Sequence, residues 1–267
     1  MKDFRYITGF IGAGNMGGTL AEAVCRRHTA EGVAVICRTL PETQEAARRL
    51  GCAAAASNPE LARDSRLLFL GVKPGMITEL AAEIAPSVSE DTVLVSMLAG
   101  VSIARLEELF GADRRIIRIL PNTPCAVGEG IILYAHNARV SEEDVALFCD
   151  RLGGAGLIDE LPEGLIDAAG TLTGCGPAFA YMFIEALADG AVACGVPRAS
   201  AQRYAAAMLR GSAEMVLESG KHPGALKDAV CSPGGTTIEG VAALERNAFR
   251  SAAAEAVRAA YEKTVKK

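Results

Sequence analysis

The stretch Gly9-Phe10-Ile11-Gly12-Ala13-Gly14-Asn15-Met16-Gly17-Gly18 decides the fold. A short apolar run over 7–11 leads into it, and a helical pattern over 15–28 follows. Gly12, Gly14 and Gly17 form G-x-G-x-x-G at that junction. In such a turn the first glycine permits the tight bend and the second lets backbone approach a pyrophosphate. The third lets helix and strand pack closely. The pyrophosphate then rests on the positive end of the helix. A glycine-rich turn also serves as a plain connection, so its position matters. At the first strand–helix turn of an alternating chain it points to a dinucleotide.

That alternation continues outward. Strand candidates cover 7–11, 33–37, 67–72, 92–97, 116–120 and 131–134, with helical patterns at 15–28, 41–50, 102–110 and 141–152. Strands apolar throughout, separated by helices, indicate a mainly parallel sheet covered on both faces, a doubly wound α/β domain. After residue 160 the strand signal stops and helices follow over 165–173, 177–194, 198–219, 224–230, 236–246 and 249–264. The chain therefore divides into an α/β domain at 1–160 and an all-α domain at 161–267. The 177–194 helix leaves almost no polar face, through Phe179, Tyr181, Met182, Phe183, Ile184 and Leu187. Such a helix needs cover on every side, which about a hundred residues supply poorly. Another subunit is expected to complete its packing; burial within one subunit is the alternative.

Composition excludes several classes. The 267 residues are half hydrophobic, contain no Trp, and carry a net charge of −5. No basic run would track a phosphate backbone, so nucleic acid is not the expected partner. Apolar segments are too short or too interrupted to span a bilayer, and the N-terminus runs straight into a strand, so a cytoplasmic chain is expected. The eight cysteines form no C-x-x-C pair and do not cluster with the three histidines, so neither zinc nor a disulfide framework is expected. No metal site is assigned.

The second strand chooses the nucleotide. An NAD site would set an acid at its end, but the sequence there is Val35-Ile36-Cys37-Arg38-Thr39. Arg38 is suited to a 2′-phosphate and Thr39 to donating to it, which favours NADPH, with NADH possible; a solvated surface Arg is the plain alternative. Gly71-Val72-Lys73-Pro74 and Pro121-Asn122-Thr123-Pro124 both end strands at the carboxyl edge, where open sheets bind ligands. Each also reads as an ordinary strand end or turn.

In the helical half, Leu172-Thr173-Gly174-Cys175-Gly176-Pro177 and Ser232-Pro233-Gly234-Gly235-Thr236-Thr237 each read as a glycine-opened helix start. Bare N–H groups at a positive helix end would hold a carboxylate, though either could be only a cap. No histidine stands in any of these motifs. The inventory fits hydride transfer that needs positioning and one hydrogen-bond donor.

With these residues in place, the chain resembles the pyrroline-5-carboxylate reductases over nearly its full length. The marks are GFIGAGNMG at 9–17, VKP at 72–74, NTP at 122–124, LTGCGPAF at 172–179 and, most specific, HPGALKDAVCSPGGTTIEGV at 222–241. The resemblance implies a Rossmann-type domain followed by a helical dimerisation domain, and reduction of the cyclic imine 1-pyrroline-5-carboxylate to L-proline. It implies cofactor contacts from Ile11, Gly12, Ala13, Gly14, Asn15, Met16 and Gly17, then Arg38, Thr39 and Asn58, and from Val72, Lys73, Pro74, Ala99 and Asn122. It places the substrate carboxylate on Gly174, Cys175 and Gly176 and on Gly235, Thr236 and Thr237. Thr237 would be the catalytic hydrogen-bond partner of the ring nitrogen, with Glu163 near the substrate. The resemblance further implies a dimer through the C-terminal helices, and larger rings of dimers are common in that family. Cys175 stands where many relatives have Ser, Gly164 where an acid is often found, and Ala229 where some have Asn. The rivals are a β-hydroxyacid-type dehydrogenase, which needs a Lys that the 177–194 helix lacks, and a non-catalytic NADP(H)-binding sensor.

Overall fold

The computed structural model describes residues 3–265. In the N-terminal unit the strands alternate side chains between two apolar layers. β1 (Tyr6–Ile11) sends Phe10 to one face and Ile11 to the other. β4 (Ser65–Leu70) likewise splits Leu67 and Phe69 from Leu68 and Leu70. One layer is closed by α1 (Asn15–Arg27), α2 (Leu40–Leu50) and α6 (Glu142–Leu152), through Leu20, Val24, Leu50 and Phe148. The other is closed by α3 (Asn58–Asp64), α4 (Ile77–Ile84) and α5 (Ile103–Phe110), through Leu61, Leu80, Ile84 and Leu106. Strands buried on both faces are continuously apolar for this reason.

The remaining strands are β2 (Val33–Ile36), β3 (Ala53–Ala54), β5 (Val93–Ser96), β6 (Arg115–Pro121), β7 (Gly130–His136) and β8 (Gly156–Glu160). The eight strands are ordered β3-β2-β1-β4-β5-β6-β7-β8. From β1 the chain runs outward through β2 and β3, then returns to β4 on the opposite side of β1. That reversal opens a crevice at the carboxyl ends of β1 and β4. One junction departs from parallel pairing: β7 runs antiparallel to β6, and β8 parallel to β7. Only a 3-10 turn (Thr123–Val127) and its flanks join β6 to β7, too little chain for a crossover. The α6 crossover then makes β8 parallel to its neighbour.

The helical half differs from expectation in one respect. Instead of a break at 174–176, a single helix, α7 (Glu163–Ala193), runs through, with Pro177 inside it. The chain divides into two compact units, 1–174 and 175–267. The sheet ends at Glu160, but the first turns of α7 stay with it: Ile166 is in the core, and Gly170 faces Leu120 so closely that a Cβ would lie 2.4 Å from its Cδ1.

The C-terminal unit holds the rest of α7 with α8 (Arg198–Ser219), α9 (Pro223–Ala229), α10 (Thr236–Arg246) and α11 (Phe249–Val265). Among its described residues, the buried side chains are Ala188, Ala201 and Ala205. Tyr181 and Met182 are 61% and 68% exposed in the single chain. The apolar helix is thus not buried within one subunit, and so large an apolar surface marks an interface.

A buried ionic cluster pins α6 to the sheet. Asp144 is fully buried; it forms a reciprocal cap with Ser141 and pairs with Arg66 and, at 3.4 Å, with Arg115. Burial pushes its carboxyl up, but hydrogen bonds from Ser141 and the Arg66 guanidinium outweigh that and hold it below the ordinary carboxylate value. A depressed carboxyl stabilises the fold above its unfolded pKa and loses that contribution as pH falls through the folded value. Asp144→Ala is therefore expected to lower unfolding free energy by about 3 kcal/mol at neutral pH. The difference should shrink below about pH 4, as read by urea denaturation across a pH series.

Candidate active site

The crevice is floored by backbone. Gly12 adopts φ +92°, and a Cβ there would lie 2.6 Å from the Gly71 carbonyl oxygen. A Cβ on Gly17 would lie 2.1 Å from the Gly12 oxygen, so the helix can seat on the turn only without one. Gly14 caps α1 with no side-chain bond, and nothing stands within 4 Å of where its Cβ would be. The first turn of α1 carries no acid. Its leading N–H groups therefore face open space at the positive end of the helix, which is an anion seat.

A groove of about 750 Å³ extends from this turn. Of the residues expected at a cofactor, it brings together Ile11, Gly12, Ala13, Gly14, Arg38, Asn58 and Val72. Asn15, Met16 and Gly17 form the first helical turn behind it. Lys73 and Pro74 open the 3-10 turn whose Met76 reaches the groove, and Ala99 is exposed beyond β5. Burial pushes the Cys37 thiol up, so it presents a neutral wall. Asn58 donates to Glu83 at 2.9 Å. At the far end, Arg38 pairs with Glu42 at 3.4 Å, and Thr39 forms a capping box with the same glutamate. Sequence reasoning missed Glu42 because it sought an acid on β2 itself.

Asn122 and Glu163 are engaged inside the unit. Asn122 is 6% exposed; its amide donates to the Thr173 carbonyl at 3.0 Å while its oxygen accepts from Ile131 N–H at 2.8 Å. Expected to face the crevice, it instead clamps α7 to the sheet edge. Glu163, expected beside the substrate, accepts from Ile103 N–H at 2.7 Å at the start of α5 and pairs with Arg118 at 3.3 Å. Arg118, 3% exposed on β6, also holds Asp167 at 2.5 Å. This cluster carried no sequence signal, since an Arg within an apolar strand reads as an interruption.

Gly174, Cys175 and Gly176 lie inside α7, where N–H groups are committed to the preceding turn. The helix start expected there is absent, so these residues provide no free donors. What they provide is helix surface bare of side chains on two different sides: nothing lies within 4 Å of a Cβ built on Gly174 or Gly176. The second glycine motif does open a helix. Gly234 takes φ +68°, Gly235 caps α10 with no side-chain bond, and Thr236 and Thr237 are exposed in the first turn. Three leading N–H groups and two hydroxyls therefore stand free of intrahelical acceptors.

Comparison with known proteins agrees with this architecture. Residues 163–267 match the family model described as pyrroline-5-carboxylate reductase dimerisation, and residues 7–100 match one described as NADP oxidoreductase, coenzyme F420-dependent. The chain is 42% identical over 260 residues to pyrroline-5-carboxylate reductase of Escherichia coli (strain K12), covering 97% of each. It is 42% identical over 265 residues to pyrroline-5-carboxylate reductase 3 of Danio rerio, covering 97% of this chain and 91% of that protein. A crystal structure of Plasmodium falciparum pyrroline carboxylate reductase with NADP bound aligns with TM-score 0.86 at 34% identity, covering 98% of each chain. At this identity over nearly the whole length, with the glycine-floored crevice in one unit and the dimerisation helices in the other, the chain belongs to the pyrroline-5-carboxylate reductase family.

Proposed function

We propose that the chain reduces 1-pyrroline-5-carboxylate to L-proline with NADPH as the preferred reductant. The observation that carries the substrate end is the start of α10, where Gly235 stands at the cap with no side-chain hydrogen bond. When bound, the cofactor supplies the hydride that reaches the C=N carbon. The protein's own residues position, orient and polarise. The groove suits an extended anionic dinucleotide: its open seat at Gly14 takes the pyrophosphate, and Arg38 the 2′-phosphate. Asn15, Met16, Thr39, Asn58, Val72, Lys73, Pro74 and Ala99 flank that path.

At the substrate, the N–H groups of the α10 first turn hold the carboxylate through the positive helix end. Gly235 leaves them uncovered. The Thr237 hydroxyl both donates and accepts, so it serves the ring nitrogen whether that atom is bare or carries a proton. Fixing that nitrogen selects one face of the imine for hydride and stabilises the charge that changes there. Gly174 or Gly176, which lie on different sides of α7, contributes by letting a ligand approach the helix closely, and Cys175 adds only a small thiol. No Lys lies within α7, which removes the base that a β-hydroxyacid-type dehydrogenase would use.

Self-association follows from the dimerisation domain. We assign the dimer contact to the apolar faces of α7 to α11, and larger rings of dimers to further contacts of the same unit. A cytoplasmic location is consistent with the substrate; among the described residues no helix is long and apolar enough to cross a membrane.

Thr237→Ala is expected to lower kcat/KM for the imine well over tenfold, while NADPH affinity measured by fluorescence titration stays near that of the parent. Retained turnover would remove Thr237 from the role given to it. Tyr181→Asp combined with Met182→Asp places two charges on the exposed apolar face of α7. Sedimentation at micromolar protein should then show monomer where the parent sediments as dimer or larger.

A further inference from the structure

Both groups read as 2′-phosphate ligands are turned to one carboxylate. Glu42 stands in the first turn of α2, just beyond the end of β2. Arg38 Nη2 donates to its Oε1 at 3.4 Å, and the Thr39 N–H donates to its Oε2 at 3.2 Å. The Thr39 hydroxyl accepts from the Glu42 N–H, completing the capping box. Capping accounts for the Oε2 contact. It does not account for the second oxygen on Arg38, which sets Glu42, alone of the groove-wall glutamates Glu42, Glu45, Glu79 and Glu83, against the arginine read as the 2′-phosphate ligand.

A ribose-reading site places an acid at the end of the second strand to accept from the 2′-hydroxyl. The end of β2 has none, but α2 returns one to the same place from the next element. Acid and Arg have opposite preferences. A carboxylate accepts from a free 2′-hydroxyl and repels a 2′-phosphate, which carries about −1.5 to −2 charges near neutral pH. A guanidinium prefers the phosphate.

We propose that Glu42 is a specificity-determining residue of the nucleotide site: it accepts a hydrogen bond from the ribose 2′-hydroxyl of NADH and competes with the 2′-phosphate of NADPH for Arg38, narrowing discrimination between the two. The inference rests on the reading of the groove as the dinucleotide site. Exchange of partners costs little, because Arg38 and Glu42 are 82% and 48% exposed and an exposed pair is weak.

The full chain carrying Glu42→Gln tests this, since Gln keeps an acceptor for the Thr39 N–H while removing the charge. NADPH and NADH are titrated calorimetrically without imine, alongside adenosine 2′,5′-bisphosphate and AMP. The ratio of the NADH to the NADPH dissociation constant is expected to rise roughly fivefold to tenfold, as for loss of one exposed charge contact on each side. The bisphosphate should gain on AMP in the same sense. A ratio unchanged within about twofold, or shifted toward NADH, overturns the role of Glu42. So does a parallel loss of both affinities, which would mean only that the cap had been disturbed. If the parent chain binds neither nucleotide, the dinucleotide reading itself falls and the proposal with it, a result distinct from an unchanged ratio.

Discussion

The close approach of two turns, at Gly12 and at Gly71, is the constraint on which the rest of the crevice depends. Beyond the last residues of β1 and β4 the sheet ladder continues for one more rung: Gly12 N–H donates to the Ile36 carbonyl at 2.8 Å and Gly71 N–H to the Ile11 carbonyl at 2.7 Å. A Cβ on either glycine would stand 2.6 Å from the other's carbonyl oxygen. The switch point therefore has a floor of bare peptide, and α1 can begin at the level of the crevice instead of above it. Because Gly17 seats the helix against the same turn, one contact sets both where the groove lies and where the helix dipole points.

A second tie runs from the sheet edge into α7. Pro177 has no N–H, so the Thr173 carbonyl loses its intrahelical donor. Asn122 replaces that donor from the strand end, and anchors its own oxygen on the Ile131 N–H. Two turns earlier Arg118 reaches from β6 to Glu163 and Asp167. A buried guanidinium needs such partners, because an uncompensated charge at that depth is strongly destabilising. Together these bonds explain why α7 keeps its course through a Gly-Cys-Gly-Pro sequence that would ordinarily end a helix.

The same bonds show why some features could be read from the sequence and others not. The long inner strands and the glycine turn are local patterns, an apolar run or a fixed spacing, and they read directly. β3, two alanines long, and β8, an edge strand written Gly-Leu-Ile-Asp-Glu, carry almost no period. The reversal at β7 depends on a loop too short to cross over, and loop length is weaker evidence than composition. The 174–176 segment carries every sign of a helix start, but a donor fifty residues away decides otherwise. The strand pattern places Asn122 at the carboxyl edge, but its direction is set by a carbonyl that only the folded α7 provides. Glu42 has no signal of its own as a groove residue: it stands on α2, past the end of β2 where an acid is sought, and its carboxylate belongs to a capping box.

The helix starts differ in how they are capped, and α4 and α8, which follow Met76 and Pro197, lack a side-chain cap. α2, α3, α5 and α6 each begin with a side chain that accepts from the first turn: Thr39, Ser57, Ser102 and Ser141. α1 and α10 begin at Gly14 and Gly235 and have no such bond. Glycine in place of a Ser or Asp cap costs only about a few tenths of a kcal/mol in helix stability, and at Gly235 a Cβ would lie 2.3 Å from Ser232 Oγ. The same side chain would occupy the N–H groups and fill the space before them, and an Asp would repel any anion. Glycine leaves the leading N–H groups of both helices without a side-chain acceptor, so under the proposed reading an anion takes the place of the cap. On that reading each bare end would be stabilised by its own ligand, and binding at α1 and α10 would complete the fold as much as add to it.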